Sequence, residues 1–227
     1  ATALVVSSDH ERRMVEASAI GGRVTVIPLP IDAGDSHPSR RMGSRRRRTV
    51  AVLGFIYPGK GHGDVVEALA ELPGDVELLA LGRASDGHDA LAAALVTRAE
   101  RMGRDMRVTG FLPDATLSSL LRSVDVPVVP AATTSASATL GTWIAAGRRP
   151  LAASNPYTTE VAAAASGLVH LYQPDRPGAL GDAVATALDD PAATWHSATV
   201  PASFTPAAVG ARHRRLYRRL LEASCAR

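Results

Sequence analysis

Short apolar runs that alternate with stretches of helical periodicity constrain this chain most, because that alternation is the pattern of a parallel sheet with helices on its faces. Runs at 3–6, 24–27, 49–53, 76–81, 107–109, 126–129, 150–153 and 168–171 read as buried strands. Between them, Val65, Val66, Leu69 and Leu72 form one apolar helical stripe, and Leu117, Leu120 and Leu121 form another, with Asp114 as the expected N-cap of a helix over 115–122. The expected fold class is α/β, a Rossmann-like doubly wound parallel sheet. Residues 28–48 break the rhythm with Pro28, Pro30, Gly34, Pro38, Gly43 and a run of arginines, and read as a basic linker. They separate a short strand–helix–strand unit, 1–27, from a larger domain, 49–205. A basic helix follows over 206–227, with Leu216, Tyr217, Leu220 and Leu221 as its apolar side.

The 227 residues are 46% hydrophobic and 21% charged, which fits neither a disordered nor a membrane-embedded class. No apolar run reaches the roughly 20 residues a spanning helix needs, and no charged-then-apolar leader opens the chain, so the expected location is cytoplasmic. The abundance of alanine and arginine fits a bacterial source of high GC content. A single cysteine, Cys225, leaves no disulfide framework and no cysteine zinc cluster, and His88, His170, His196 and His213 have no metal-ligand spacing. No serine sits in a nucleophile elbow.

Charge is distributed less evenly than the net +3 suggests. From Ser36 to Gly63 there is no acidic residue, but there are Arg40, Arg41, Arg45, Arg46, Arg47, Arg48 and Lys60. Such a block either is a solvated linker or meets an anion. Of 25 basic residues, only Lys60 is a lysine. It lies between Gly59 and Gly61, in a glycine-rich turn that follows a predicted strand and leads into a helix expected near Asp64. Such a turn exposes backbone N–H groups at a helix start, where a lysine completes a cradle for phosphate. The spacing of Gly54, Gly59 and Lys60 also matches a P-loop, but Gly61 stands where the magnesium-binding serine or threonine belongs, and no strand ending in aspartate follows at the usual place. A plain glycine turn with a surface lysine remains the third reading, and His62 is expected to be an exposed helix-start residue.

The longer pattern is more specific. Val26-Ile27-Pro28-Leu29-Pro30-Ile31-Asp32, then Gly54…Gly59-Lys60-Gly61-His62, then Val66-Glu67-Ala68-Leu69 resembles the C-terminal half of group-1 glycosyltransferases, retaining enzymes of the two-domain GT-B fold. The resemblance continues in order through Leu79-Ala80-Leu81-Gly82, Val108-Thr109-Gly110-Phe111-Leu112-Pro113, the segment 121–126, Ala145-Ala146-Gly147, Glu160, Gly167-Leu168-Val169 and Asp189-Asp190-Pro191. No single piece is specific; their order is. It implies that 1–27 are the last elements of an N-terminal acceptor domain, most of which would be supplied outside this chain or by a partner chain. It also implies a nucleotide-sugar donor as substrate with no metal cofactor. By the same resemblance Gly59, Lys60 and Gly61 would hold the diphosphate, Phe111 and Leu112 would lie near the base, and Thr134 and Thr142 would stand at the donor sugar and ribose; the small-residue run 131–138 followed by Thr139 and Leu140 reads as a helix start whose free N–H groups offer an anion site. The acceptor stays unknown.

Three positions depart from the family in a way that matters chemically. The resemblance places paired glutamates at Thr134 and Thr142, and an arginine at Phe55. A threonine hydroxyl cannot make the charge-assisted contact of a carboxylate, and each such bond is worth roughly 1.5–3 kcal/mol. Arg83, in the loop after the next strand, is the candidate second cation, while Arg148 and Arg149 are expected to cap the far end of the threonines' helix. A degenerate, non-catalytic binding or structural module is therefore the alternative function, and a sugar-nucleotide epimerase, which also needs carboxylates, ranks below it. Trp143 and Ile144 are expected in the core. The terminal helix, with Arg212, Arg214, Arg215, Arg218 and Arg219, is expected to pack on the protein, with a peripheral membrane contact as its other reading. Nucleic acid is not an expected partner, with only 4% aromatic residues and no binding motif.

Overall fold

The computed structural model describes residues 3–18, 20, 22–33 and 47–225. A small parallel pair, β1 (Ala3–Val6) and β2 (Arg23–Val26), is joined by α1 (Asp9–Glu16). The larger domain follows with β3 (Arg48–Leu53), α2 (His62–Leu69), β4 (Val76–Leu81), α3 (Asp89–Arg101), β5 (Asp105–Val108) and α4 (Asp114–Ser123). It continues with β6 (Val126–Val129), α5 (Ala138–Ala145), β7 (Leu151–Ala153), α6 (Pro156–Ala164), β8 (His170–Tyr172) and α7 (Ala179–Asp189), and α8 (Pro206–Cys225) ends the described chain.

All six strands of the large sheet run parallel, in the order β5-β4-β3-β6-β7-β8. Successive residues of β3 alternate faces. Val50 and Val52 enter one apolar layer with α2, α3 and α7, and Ala51 and Leu53 enter the other with α4, α5 and α6. Both faces are covered, which is why the strands are continuously apolar. The strand order reverses on either side of β3, so the crevice at a doubly wound sheet's switch point opens beyond the carboxyl ends of β3 and β6.

Several boundaries differ from the sequence reading. β5 begins at Asp105, since polar edge positions still hydrogen-bond into β4. β8 spans His170–Tyr172, because Leu168 and Val169 are buried by packing without joining the ladder. α2 starts at His62 rather than near Asp64. Asp114 is the first residue of α4, and the extended Pro113 precedes it without a side-chain cap. Of the arginine block, Arg40, Arg41, Arg45 and Arg46 lie outside the described residues. Arg47 pairs with Asp105, and Arg48, which opens β3, pairs with Asp75 at 2.7 Å. Those two charges are thus neutralised at the amino ends of the strands, opposite the edge that carries Lys60.

The small unit is tied to the large domain by side chains at helix starts. Both Glu160 carboxylate oxygens accept amides that open α1, from Asp9 at 2.9 Å and His10 at 3.1 Å. Ser8 donates to the Ser135 carbonyl at 3.0 Å, and Ser135 Oγ donates to Glu11 at 2.9 Å. Val209 and Leu216 of α8 pack on Ile27 beside β2, whereas Tyr217 and Leu221, expected on the apolar side, are exposed. A pair of strands is too narrow to cover the helix on two sides.

Candidate functional site

The turn after β3 is shaped by two close approaches. Gly61 has φ +90°, and a Cβ there would lie 2.7 Å from Pro130 Cβ, at the end of β6. Gly82, after β4, has φ +153°, and its Cβ would lie 2.3 Å from the Gly54 carbonyl oxygen. Both positions exclude a side chain sterically and conformationally. The Gly54 amide donates to Leu81 and the Ile56 amide to the Arg83 carbonyl, while Gly82 donates to Thr109 Oγ1 and receives the Gly110 amide. Three strand-end loops, after β3, β4 and β5, are thereby zipped into one edge.

Lys60 sits at the centre of that edge with 7% of its surface exposed. Its Nζ donates to Thr139 Oγ1 at 3.3 Å, the one hydrogen bond its ammonium makes among the described residues, and no carboxylate pairs with it there. Burial depresses its pKa. Two helices begin beside it. α2 is preceded by Gly61 as its N-cap residue, with no side-chain cap. α5 starts at Ser137, whose Oγ accepts the Leu140 amide at 3.2 Å and shares a hydrogen bond with Thr139 Oγ1 at 3.1 Å. The first amides of each helix have no intrahelical acceptor and contribute partial positive charge. A buried ammonium facing two positive helix ends is a site shaped for an anion.

His62, weighed from sequence as exposed, is 2% exposed, and neither ring nitrogen has a hydrogen-bond partner among the described residues. Its signal was present: it lies on the same helical stripe as Val65, Val66 and Leu69. Burial, and secondarily the Lys60 charge, push its pKa down from 6.5 to about 4, so the ring is neutral at physiological pH. Because the folded value lies below the unfolded one, this contribution is fully present above pH 6.5 and is lost as the pH falls toward 4. We expect wild-type protein to lose about 2–3 kcal/mol more stability than His62→Gln between pH 7 and 4.5, measured by urea unfolding. Equal slopes for the two proteins would place the titrating group elsewhere.

The other candidate residues divide into those the fold gathers and those it turns away. Gly59, Lys60 and Gly61 form the turn, and Thr139 meets Lys60 from the first turn of α5. Arg83 lies beside it: its guanidinium is 5.1 Å from the Phe55 ring centroid, and its Nη1 pairs with Asp86 at 2.9 Å. Phe111, in the loop after β5, is 85% exposed, and the half-buried Leu112 packs on the second apolar layer. Leu140 has its side chain in the core and its amide on Ser137. The hydroxyls of Thr134 and Thr142 donate to backbone carbonyls of their own segment, Ala136 at 2.7 Å and Ala138 at 3.0 Å. Trp143 and Ile144 are core, as expected. Arg148 does not cap its own helix: it is fully buried and reaches the carbonyls that end α4. Among the described residues no group of three His, Cys, Asp or Glu could hold a metal ion.

No family model matches the sequence. It is 33% identical over 139 residues to the D-inositol 3-phosphate glycosyltransferase of Mycobacterium bovis, a match covering 56% of this chain and 28% of that protein. The fold is similar to that of sucrose-phosphate synthase from Thermosynechococcus elongatus, with a TM-score of 0.76 and 20% identity, over 97% of this chain and 59% of the other. It is also similar to that of Anabaena HepE in complex with UDP and glucose, with a TM-score of 0.70 and 20% identity, over 86% of this chain and 55% of the other. The chain therefore spans little more than a quarter of the curated relative and somewhat over half of the two structures. In sequence and fold it is related to the group-1, GT-B glycosyltransferases, and it corresponds to a partial, C-terminal-like domain with one Rossmann-like half of that fold.

Proposed function

We propose that the Lys60 edge binds the diphosphate of a nucleotide-sugar donor, and that the protein containing this domain transfers the sugar to an acceptor with retained configuration. One observation carries the reading: a buried ammonium, held by a single threonine hydroxyl and unmatched by any described carboxylate, faces two helix starts. When the donor breaks, negative charge grows on the leaving diphosphate, and fixed positive groups placed there in advance lower the barrier. Gly59 and Gly61 let the backbone approach the phosphates. Arg83, stacked on Phe55 in the position the family gives an arginine, supplies the second positive charge. The exposed Phe111 and its neighbour Leu112 offer a surface for the base. The UDP and glucose bound to Anabaena HepE support this class of ligand. No metal enters the reading. The test is calorimetric titration of the chain with UDP, GDP and ADP. Micromolar binding of one of them supports the site and names the base; silence with all three overturns it.

A second reading, a degenerate binding module, is favoured by the threonines. Thr134 and Thr142 not only lack charge but spend their hydroxyl protons on local carbonyls, leaving acceptor capacity alone toward a sugar. We expect Thr134→Glu combined with Thr142→Glu to tighten binding of UDP-glucose relative to UDP by about tenfold or more, as one or two charge-assisted hydrogen bonds imply. Wild-type protein that already prefers the sugar nucleotide as strongly as the variant would reject degeneracy, because other residues would have replaced the glutamates.

A further inference from the structure

Apart from the Lys60 edge, the large domain opens a cavity of about 350 Å³ between α2 and the start of α7, beyond the carboxyl end of β8, a size within the range of small-molecule sites. Every residue lining it lies between Asp64 and Gly181. It belongs to the layer of α2, α3 and α7, whereas the small unit is held at α6 and Ser135 on the other layer. Three carboxylates stand on one side: Asp64 and Glu67, a turn apart on α2, and Glu71 just after it. Glu67 pairs with Arg98, but among the described residues Asp64 and Glu71 take part in no ion pair. On the other side α7 begins at Gly178 with no side-chain cap, and the amides of Leu180 and Gly181 have no acceptor among the described residues. Tyr172 lines the cavity too. It is 7% exposed, and its hydroxyl makes no hydrogen bond among the described residues. The other buried tyrosine, Tyr157, is equally enclosed but hydrogen-bonds the Ser137 backbone, as a buried tyrosine normally finds a partner. Burial, and secondarily the charge of nearby Asp64, hold the Tyr172 pKa above its ordinary value, so the phenol keeps its proton and can donate.

These walls select against a charged ligand. An anion would meet three carboxylates, and an ammonium or guanidinium would meet the positive end of α7. No group of three acids among the described residues could hold a metal ion. A hydroxyl both donates and accepts. Neighbouring hydroxyls can therefore donate to Asp64 or Glu71 while accepting from the amides of Leu180 and Gly181, and Tyr172 can serve either way. The apolar edges of Pro130, Pro174 and Leu180 suit the carbon–hydrogen faces of a ring. We propose that this cavity binds a neutral, polyhydroxylated ring, a sugar unit, with Tyr172 and Asp64 as its anchors. Pro130 also abuts Gly61 of the phosphate turn, so the two sites are neighbours, but the assignment does not depend on the donor reading.

Titration of the isotope-labelled 227-residue chain with glucose and with maltotriose, followed by amide chemical shifts, tests it. We expect saturable shifts with a millimolar Kd at Asp64, Leu180 and Gly181, and little change at Gly59 and Thr139. Tyr172→Phe should raise the Kd about fivefold and Asp64→Asn about tenfold, the scale of one neutral and one charge-assisted hydrogen bond. Because the Tyr172 hydroxyl has no partner in the free protein, Tyr172→Phe should leave the unfolding temperature unchanged, which separates a binding role from a structural one. Circular dichroism confirms that each variant is folded. Tighter binding of maltotriose identifies the end of a glycan chain as the ligand, and equal or weaker binding a single sugar; both uphold the site. Absence of saturable shifts with either sugar overturns the proposal. So do shifts that both variants leave unchanged, or shifts centred on Gly59 and Thr139, which place the sugar at the donor edge. Putrescine binding at the same amides more tightly than glucose overturns it in favour of a cation site.

Discussion

Replacing Lys60 with methionine should make the protein more stable and at the same time unable to bind a nucleoside diphosphate. The two effects share one cause. In the free protein the ammonium is desolvated, makes one hydrogen bond to Thr139, and faces the positive ends of α2 and α5. That one hydrogen bond offsets only part of the lost hydration of a charge, and no described carboxylate pairs with it. Methionine fills a similar volume without the charge, and a gain of about 1 kcal/mol is the scale at which such functional-site strain is relieved. The sign can be checked by pH. Folded Lys60 has a pKa below its ordinary 10.5, so the folded state loses this proton before the unfolded state does. The stability gap between variant and wild type should narrow as the pH rises toward 10.5. Ligand reverses the order at neutral pH. A diphosphate at about 100 times its Kd stabilises wild type by about 2.7 kcal/mol and should leave Lys60→Met unmoved. Thermal unfolding with and without UDP reads both halves. A variant less stable than wild type, or one that UDP still stabilises, would remove Lys60 from the site.

The parts of this architecture that were legible in the sequence are those where burial and hydrogen bonding coincide. β3, β4 and β6 are covered on both faces, so apolar runs alone bound them to within one residue. At the margins the two diverge. Leu168 and Val169 are buried but belong to no strand, and Asp105 belongs to a strand but is exposed. Within the site, the glycines and Lys60 were readable because a turn of that kind admits few alternatives. The pairing of Lys60 with Thr139 was not, since it joins two segments 79 residues apart. The direction of the Thr134 and Thr142 hydroxyls was also hidden, because sequence says that a donor exists and not where it is spent. Arg148 shows the same limit on a larger scale. Its place at the end of α5 suggested a helix-dipole role there; the carbonyls it serves belong to another helix.

Arg148→Met should be the most damaging single substitution in the large domain, costing about 3–5 kcal/mol, the range found when one partner of a buried charged network is removed. The guanidinium is fully buried and all three nitrogens are engaged. Nη1 donates to the carbonyls of Leu121 at 2.9 Å and Val124 at 2.7 Å, which end α4. Nη2 donates to the Asp125 carbonyl at 2.9 Å and to Thr194 Oγ1 at 2.8 Å, and Nε donates to the Thr194 carbonyl at 3.2 Å. The Trp195 ring lies 4.4 Å from its central carbon. One side chain thus joins the end of α4, the start of β6 and the short turn at Pro191–Thr194. Burial lowers its pKa to about 10, and at neutral pH it remains charged because the ring of carbonyl dipoles replaces its water. Methionine would occupy the space and strand those acceptors without donors, which costs more than the desolvation it recovers. Lysine would not rescue it, since a single ammonium cannot reproduce a planar fork that serves five acceptors. The network lies at the amino ends of the strands, across the sheet from Lys60. Below its own unfolding transition, Arg148→Met should therefore bind a nucleoside diphosphate within about twofold of wild type, while its urea midpoint falls sharply. Loss of affinity in a variant shown to be folded would mean that the two edges of the sheet are coupled, and that Lys60 is positioned through the packing of α5 rather than by its own turn.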